Sequence, residues 1–215
     1  LPLTGPLKLG VIPTIAPFLL PRLLPALRDE FPDLKLYLKE DLTERVYERL
    51  MEGELDLILI ALPYELRNTA DMVLFEDRFY LAYRQESALV RAGDYDLNEL
   101  PSDSILLLED GHCLRDHALS ACNIKNVDKV SNITATSLLT LVQMVDADLG
   151  ITYLPEMAIH STLLKNTRIK TMKMEPGSSR QIGLVWRKAS TRQDEFTMLG
   201  DFIRNNYAQS VDDAS

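Results

Sequence analysis

Apolar and polar positions alternate between two rhythms along this chain. Dense apolar runs at 7–14, 34–40 and 56–62 are separated by segments at 16–31 and 43–52 in which apolar residues recur every three or four positions. The first rhythm predicts strands and the second helices, so the opening third reads β-α-β-α-β, the signature of βαβ units and a largely parallel sheet. Pro21 and Pro25 fall inside the first helical segment. Each lacks an N–H and crowds the preceding turn, which predicts a late helix start or a kink. Strand character returns at 72–84, broken around Glu76-Asp77-Arg78, and a crossing to a second lobe is expected there.

Beyond that point, strands are predicted at 104–108, 129–134 and 151–154, with a helix at 137–146 and a short helix after Pro155. A strand at 181–187 and a final helix at 191–207 follow, the latter with Phe196, Leu199, Phe202 and Ile203 on one face. The expected organisation is α/β with two Rossmann-like lobes, 5–76 plus 180–210 and 77–179. Two such lobes joined by two crossings are expected to leave a ligand-sized cleft.

Composition narrows the function. The chain has 215 residues, 46% of them hydrophobic, which is ample for a packed core. Its apolar runs stop well short of a membrane span. Net charge is −9, from 23 basic and 32 acidic side chains, and would repel a phosphate backbone, so this piece is not expected to bind nucleic acid by itself. The chain opens without an initiator methionine and reads as part of a longer polypeptide. Two cysteines are too few for a secreted disulfide scaffold and, with no second cluster, make no zinc site. A reducing cytoplasm, no metal and no cofactor are expected.

Those cysteines, Cys113 and Cys122, share one segment, Gly111-His112-Cys113-Leu114-Arg115-Asp116-His117-Ala118-Leu119-Ser120-Ala121-Cys122. If it is helical, nine steps separate their Cα atoms by about 13 Å, whereas a disulfide needs roughly 4.4–6.8 Å. Either the two never pair, or pairing unwinds the segment. Thiols of this kind are ordinarily buried and inert. Asp110-Gly111 is a turn pair suited to precede a helix start, where unpaired N–H groups favour an anion. His112 and Arg115 add positive charge there, and Glu109, Asp110 and Asp116 oppose it.

The run from Leu106 to Asp116, with Cys122 following, closely resembles the redox segment of the OxyR family of peroxide-sensing LysR-type transcriptional regulators. LysR-type landmarks extend the resemblance over almost the whole chain: Gly5-Pro6-Leu7-Lys8-Leu9-Gly10, Leu24-Pro25 before Phe31-Pro32, Gly53-Glu54-Leu55-Asp56, and Gly150-Ile151-Thr152-Tyr153-Leu154-Pro155. The resemblance implies a periplasmic-binding-protein-like (type II) regulatory domain, with hydrogen peroxide as signal. It implies Cys113 as peroxidatic and Cys122 as resolving cysteine. Thr14, Thr43, His112 and Arg180 match the residues around the peroxide pocket, and Arg115, by its charge alone, is expected to stabilise the thiolate further. It also implies dimers of regulatory domains, tetramers of the full chain, promoter DNA bound through an N-terminal domain outside this chain, RNA polymerase as partner, and a glutaredoxin- or thioredoxin-type reductant. His117 stands where a glutamine is familiar, and Asp146-Ala147-Asp148 replaces a small-residue stretch.

Plainer roles exist for each residue. Thr43 reads as a helix N-cap, His112 as a turn residue, Thr14 as a strand end bonding backbone, and Arg180 as a solvated loop charge. Thr136 and Ser137 read as caps of the following helix, and Leu138, Leu141, Val142 and Val145 as core. The expected function is a sensor, not a turnover enzyme. Its rivals are a metabolite-binding effector domain of another LysR-type regulator, in which the thiols are incidental, and a thiol peroxidase.

Overall fold

The computed structural model describes residues 3–90 and 94–214. The chain divides into two compact units, Leu1–Glu76 with Gln181–Ser215, and Asp77–Arg180.

In the first unit, β1 (Gly5–Val11) runs parallel to both β2 (Leu34–Glu40) and β3 (Leu57–Leu62). All six residues of β3, Leu-Ile-Leu-Ile-Ala-Leu, are buried, as a strand covered on both faces requires. The last strand of the unit, from β9 (Ser179–Arg187), lies antiparallel to β3, pairing Leu57 with Trp186 and Leu62 with Gln181. The sheet is therefore mixed where the sequence suggested mostly parallel pairing.

Helix α1 (Ala16–Glu30) starts where its apolar pattern starts and contains both Pro21 and Pro25, so there is no late start. Each proline removes one backbone donor, and the buried stripe Leu19, Leu23, Leu27 holds the helix against the core. Helix α2 (Thr43–Met51) buries Val46 and Leu50. Helix α6 (Gln193–Ala214) extends seven residues past its expected end, and its last turns carry no apolar stripe. Stacking of Tyr207 on Phe75 and the Arg22–Asp213 ion pair at 3.0 Å secure that extension.

In the second unit, β4 (Thr69–Arg84), from Asp77 onward, pairs antiparallel with β7 (Thr152–Pro155) and with β8 (Ile169–Lys173). Strand β4 is continuous through 76–78, where the charged triplet predicted a break. Strand β8, Ile-Lys-Thr-Met-Lys, escaped the sequence reading because two lysines and a threonine among five residues leave it little apolar signal. Strands β5 (Ile105–Leu108) and β6 (Val130–Ala135) are parallel and lead into helices α3 (Cys113–Ala121) and α4 (Leu138–Asp146). A short helix, α5 (Glu156–Ile159), follows β7. Gly150 sits where a Cβ would come within 2.6 Å of the Ser104 carbonyl, so only glycine lets this backbone pass.

Candidate redox site

The cysteine segment is built as a strand, a turn and a helix. Strand β5 is wholly buried, and the Glu109 amide still reaches the Ala135 carbonyl of β6 at 2.9 Å. Gly111 then takes φ of +100°, a left-handed conformation that a side chain would strain. His112 is the N-cap, extended at φ −85° and ψ 116°, and its side chain makes no capping hydrogen bond. The imidazole is buried. Cys113 is the first residue of α3 and is partly exposed, so its sulfur lies at the helix end where N–H groups lack intrahelical partners.

Arg115 ties this helix end down. Its Nη1 donates to the Leu108 carbonyl at 3.0 Å and its Nε lies 3.3 Å from Asp110 Oδ1. The Arg115 side chain is 20% exposed and that of Asp110 99%. Glu109 and Asp116 are exposed as well. Water screens the acids of this segment more than its guanidinium.

Cys122 is the C-cap of the same helix, its amide donating to the Ala118 carbonyl at 3.0 Å. It is buried, and burial pushes its thiol from an ordinary 9.0 up to about 12. No disulfide joins the two cysteines. With one at each end of nine helical residues, the separation is about 13 Å.

Arg180 is no solvated loop charge. Its side chain is fully buried, with Nε 3.0 Å from Asp77 Oδ2, while Asp77 Oδ1 accepts the Met157 amide at 3.0 Å. Burial pushes the Asp77 carboxyl up, and the guanidinium and the Met157 N–H oppose that shift. This pairing explains why β4 runs unbroken through Asp77: a buried charge is tolerated when its partner and hydrogen bonds are supplied. Arg180, placed by the sequence reading with the first lobe, is the last residue of the second unit.

Thr14 and Thr43 belong to the first unit, and both are buried. Thr14 lies in the turn before α1, beyond the end of β1 at Val11. Thr43 is not a cap. Leu42 occupies the N-cap position of α2, its amide is held by Asp41 Oδ1 at 2.8 Å, and no side chain caps the helix. The unfamiliar residues have local uses. His117 is buried one turn beyond Cys113 on the same helical face. Asp146 accepts the Arg168 amide at 2.8 Å, and Asp148 takes φ of +58°, which a short polar side chain tolerates.

Three residues of this unit escaped the sequence reading. Asp77 carried a signal, since a lone carboxylate inside an apolar strand calls for a buried partner. Tyr95 and Tyr153, whose hydroxyls hydrogen-bond to each other, carried none. Among the described residues no group of His, Cys, Asp and Glu is placed to hold a metal ion, and no helix is long and apolar enough to cross a membrane.

The LysR substrate-binding domain model matches residues 2–208. The chain belongs to the LysR substrate-binding domain family. It is 40% identical over 205 residues to the HTH-type transcriptional regulator EstR of Acinetobacter baylyi, covering 94% of this chain and 67% of that protein. It is 35% identical over 214 residues to the hydrogen peroxide-inducible genes activator of Haemophilus influenzae, covering 98% of this chain and 70% of that one. The chain thus spans about two thirds of the length of these relatives. The reduced form of the regulatory domain of OxyR2 from Vibrio vulnificus superposes with a TM-score of 0.91 at 39% identity, covering 95% of this chain and 97% of that one. The kinship with OxyR regulatory domains that the redox segment suggested is borne out, as is the α/β, type II periplasmic-binding-protein-like fold.

Proposed function

We propose that this chain is the hydrogen-peroxide-sensing regulatory domain of a LysR-type transcriptional regulator, switched by oxidation of Cys113 and closure of a Cys113–Cys122 disulfide. The observation that carries this reading is the placement of the two thiols at opposite ends of one short helix with no side-chain N-cap. The Cys113 thiolate attacks one peroxide oxygen, the O–O bond breaks, and the departing hydroxide takes a proton to leave as water. Thr14 and Thr43 bind peroxide and supply that proton by hydrogen bonding, while His112, Arg180 and Arg115 favour the thiolate. The resulting sulfenic acid is captured by Cys122, expelling a second water. A ten-residue loop closed this way restrains the unfolded chain by about 2.7 kcal/mol in the chain-entropy model.

Closure requires α3 to unwind, because about 13 Å must shrink to roughly 6 Å. That refolding alters the contacts of regulatory-domain dimers within a tetramer and the DNA-bound state of a winged helix-turn-helix domain outside this chain. Antioxidant genes respond through RNA polymerase, and a cytoplasmic glutaredoxin or thioredoxin resets the switch slowly. Slow re-reduction separates a sensor from a thiol peroxidase. The name of the Haemophilus influenzae relative supports the peroxide reading. The name of EstR, at higher identity, says nothing of peroxide, so the rival to test is an effector domain that binds a metabolite.

One experiment separates the two. Reduced protein exposed briefly to near-stoichiometric hydrogen peroxide is expected to form a Cys113–Cys122 crosslink within seconds, read by intact and peptide mass spectrometry. Cys122→Ser should stop at the sulfenic acid, and Cys113→Ser should not react. Thiols that persist at that dose would sink the peroxide reading and leave the metabolite sensor.

A further inference from the structure

The chemistry just described makes no use of His117. It lies on α3 four positions after Cys113, and the helix runs unbroken between them. Residues so spaced are neighbours on one helical face, with Cβ atoms about 5–6 Å apart. Helical side chains also lean towards the N-terminus, so the imidazole is carried back over the first turn, where Cys113 stands. His117 is 9% exposed and belongs with Leu114 and Ala118 to the buried face, which Cys113, half-buried, borders. Strand β5, against which α3 packs, brings Ile105, Leu106, Leu107 and Leu108, none of them titratable. On the helix and the turn before it, Glu109, Asp110 and Asp116 are exposed, and Arg115 is bound to the Leu108 carbonyl and to Asp110. His112 is the N-cap beside Cys113, and Cys122 stands at the opposite end. A helix start favours a thiolate and disfavours a lone imidazolium, so a proton on His117 is stabilised by the thiolate whose formation released it.

We propose that His117 takes the proton of the Cys113 thiol, so that the reduced sensor reacts as a thiolate–imidazolium pair held within one turn of α3. The proposal rests on the peroxide-sensing reading. The thiolate attacks one peroxide oxygen, the S–O bond forms as the O–O bond breaks, and the imidazolium returns its proton to the departing hydroxide. Thr14 and Thr43 hydrogen-bond the peroxide in this scheme, and the proton that reaches the hydroxide is the one His117 stored. One thiol and one peroxide give one sulfenic acid and one water, and the imidazole is neutral again. The pairing depends on helical spacing, so the disulfide that unwinds α3 also dismantles the pair.

The test is the rate of Cys113 sulfenic acid formation with near-stoichiometric hydrogen peroxide, followed from about pH 5 to about pH 9 by dimedone trapping and mass spectrometry. Cys122→Ser serves as the parent, and His117→Gln is added to it. Glutamine keeps a polar side chain there but takes up no proton. It is expected to move the rising limb of the rate profile up by at least about one pH unit, slowing the reaction on that limb about tenfold. On the alkaline plateau the two should agree within about twofold, because there the thiolate forms without help. A histidine that merely packs would change stability and leave the limb in place. An unmoved limb, with sulfenic acid still forming, would overturn the role of His117 and leave the peroxide reading intact. Nitrogen-15 NMR of the imidazole gives a check that keeps His117: Cys113→Ser should lower its titration midpoint by at least about one pH unit. A midpoint that stays put would overturn the pair. Absence of any sulfenic acid in the parent at every pH would remove the reading and the pair together.

Discussion

Helices α3 and α4 are each nine residues long, lie in one unit and follow the two strands of one parallel pair, yet they are held in place very differently. In α4 the Ser137 hydroxyl caps the N-terminus by accepting the Thr140 amide at 3.2 Å, and Leu138, Leu141, Val142 and Val145 are buried. Helix α3 has no side-chain N-cap and buries Leu114, His117 and Ala118. At about 1.5–3 kcal/mol for each large aliphatic side chain, four anchors hold α4 against one for α3. Equal length and equal topology thus give one fixed element and one that can be released. The cap position of α3 is taken by His112 and its two ends by cysteines, so residues suited to chemistry stand where residues suited to stability would otherwise be. A helix that must unwind to close a disulfide is best held weakly.

Truncating the anchors breaks the comparison most sharply. Leu141→Ala is expected to cost about 2–5 kcal/mol in both redox states, because α4 persists in each. Leu114→Ala should cost a similar amount in the reduced form and little in the oxidised form, so it should promote oxidation. Urea unfolding of both forms of both variants measures this, and equal losses for Leu114→Ala would mean that α3 survives oxidation.

Alkali provides the next largest effect. The Cys122 thiol titrates near about 12 when folded and near 9.0 when exposed, so the folded state holds its proton more tightly. That contribution to stability is complete below pH 9 and is lost as pH rises towards 12, with about 1.4 kcal/mol gone by pH 10. The difference in unfolding free energy between the reduced chain and its Cys122→Ala variant, followed from pH 8 to pH 10, should show this slope. A flat difference would place the thiol in water.

The caps come after. Ser137→Ala should cost about 1 kcal/mol in both redox states, read from the same urea curves. The smallest change is Ser120→Ala on the exposed face of α3, which strengthens that helix by about 0.5 kcal/mol. It should lower the oxidised fraction in a fixed thiol–disulfide buffer by about twofold. An increase would show that helix strength does not oppose the disulfide.

Much of the fold was legible in the sequence because its strands are dense apolar runs and its main helices carry apolar stripes. Strand β2 and helix α4 were read to within a residue. Other boundaries failed where the rhythm was weak or where a local rule gave way to packing. The lysine-rich β8 and the polar end of α6 gave no stripe to read, and the prolines of α1 did not delay its start. In the candidate site, the segment between the cysteines is helical, the first of the two alternatives the sequence left open, while Thr43 as cap and Arg180 as loop charge did not hold. Their surroundings come from residues distant in sequence, as with Arg180 and Asp77, 103 positions apart.

By itself the sequence determined the α/β class, the family and the segment that carries both thiols, since all three rest on local periodicity and contiguous motifs. Only the tertiary structure decided that Asp77 runs through a strand with Arg180 as its counterion. It also decided that Cys122 is buried and that α3 is the weakly held member of a matched pair of helices. The reason is physical: burial, charge pairing and the strength of a helix depend on what packs against a residue, and that partner is supplied by chain folded back from far away.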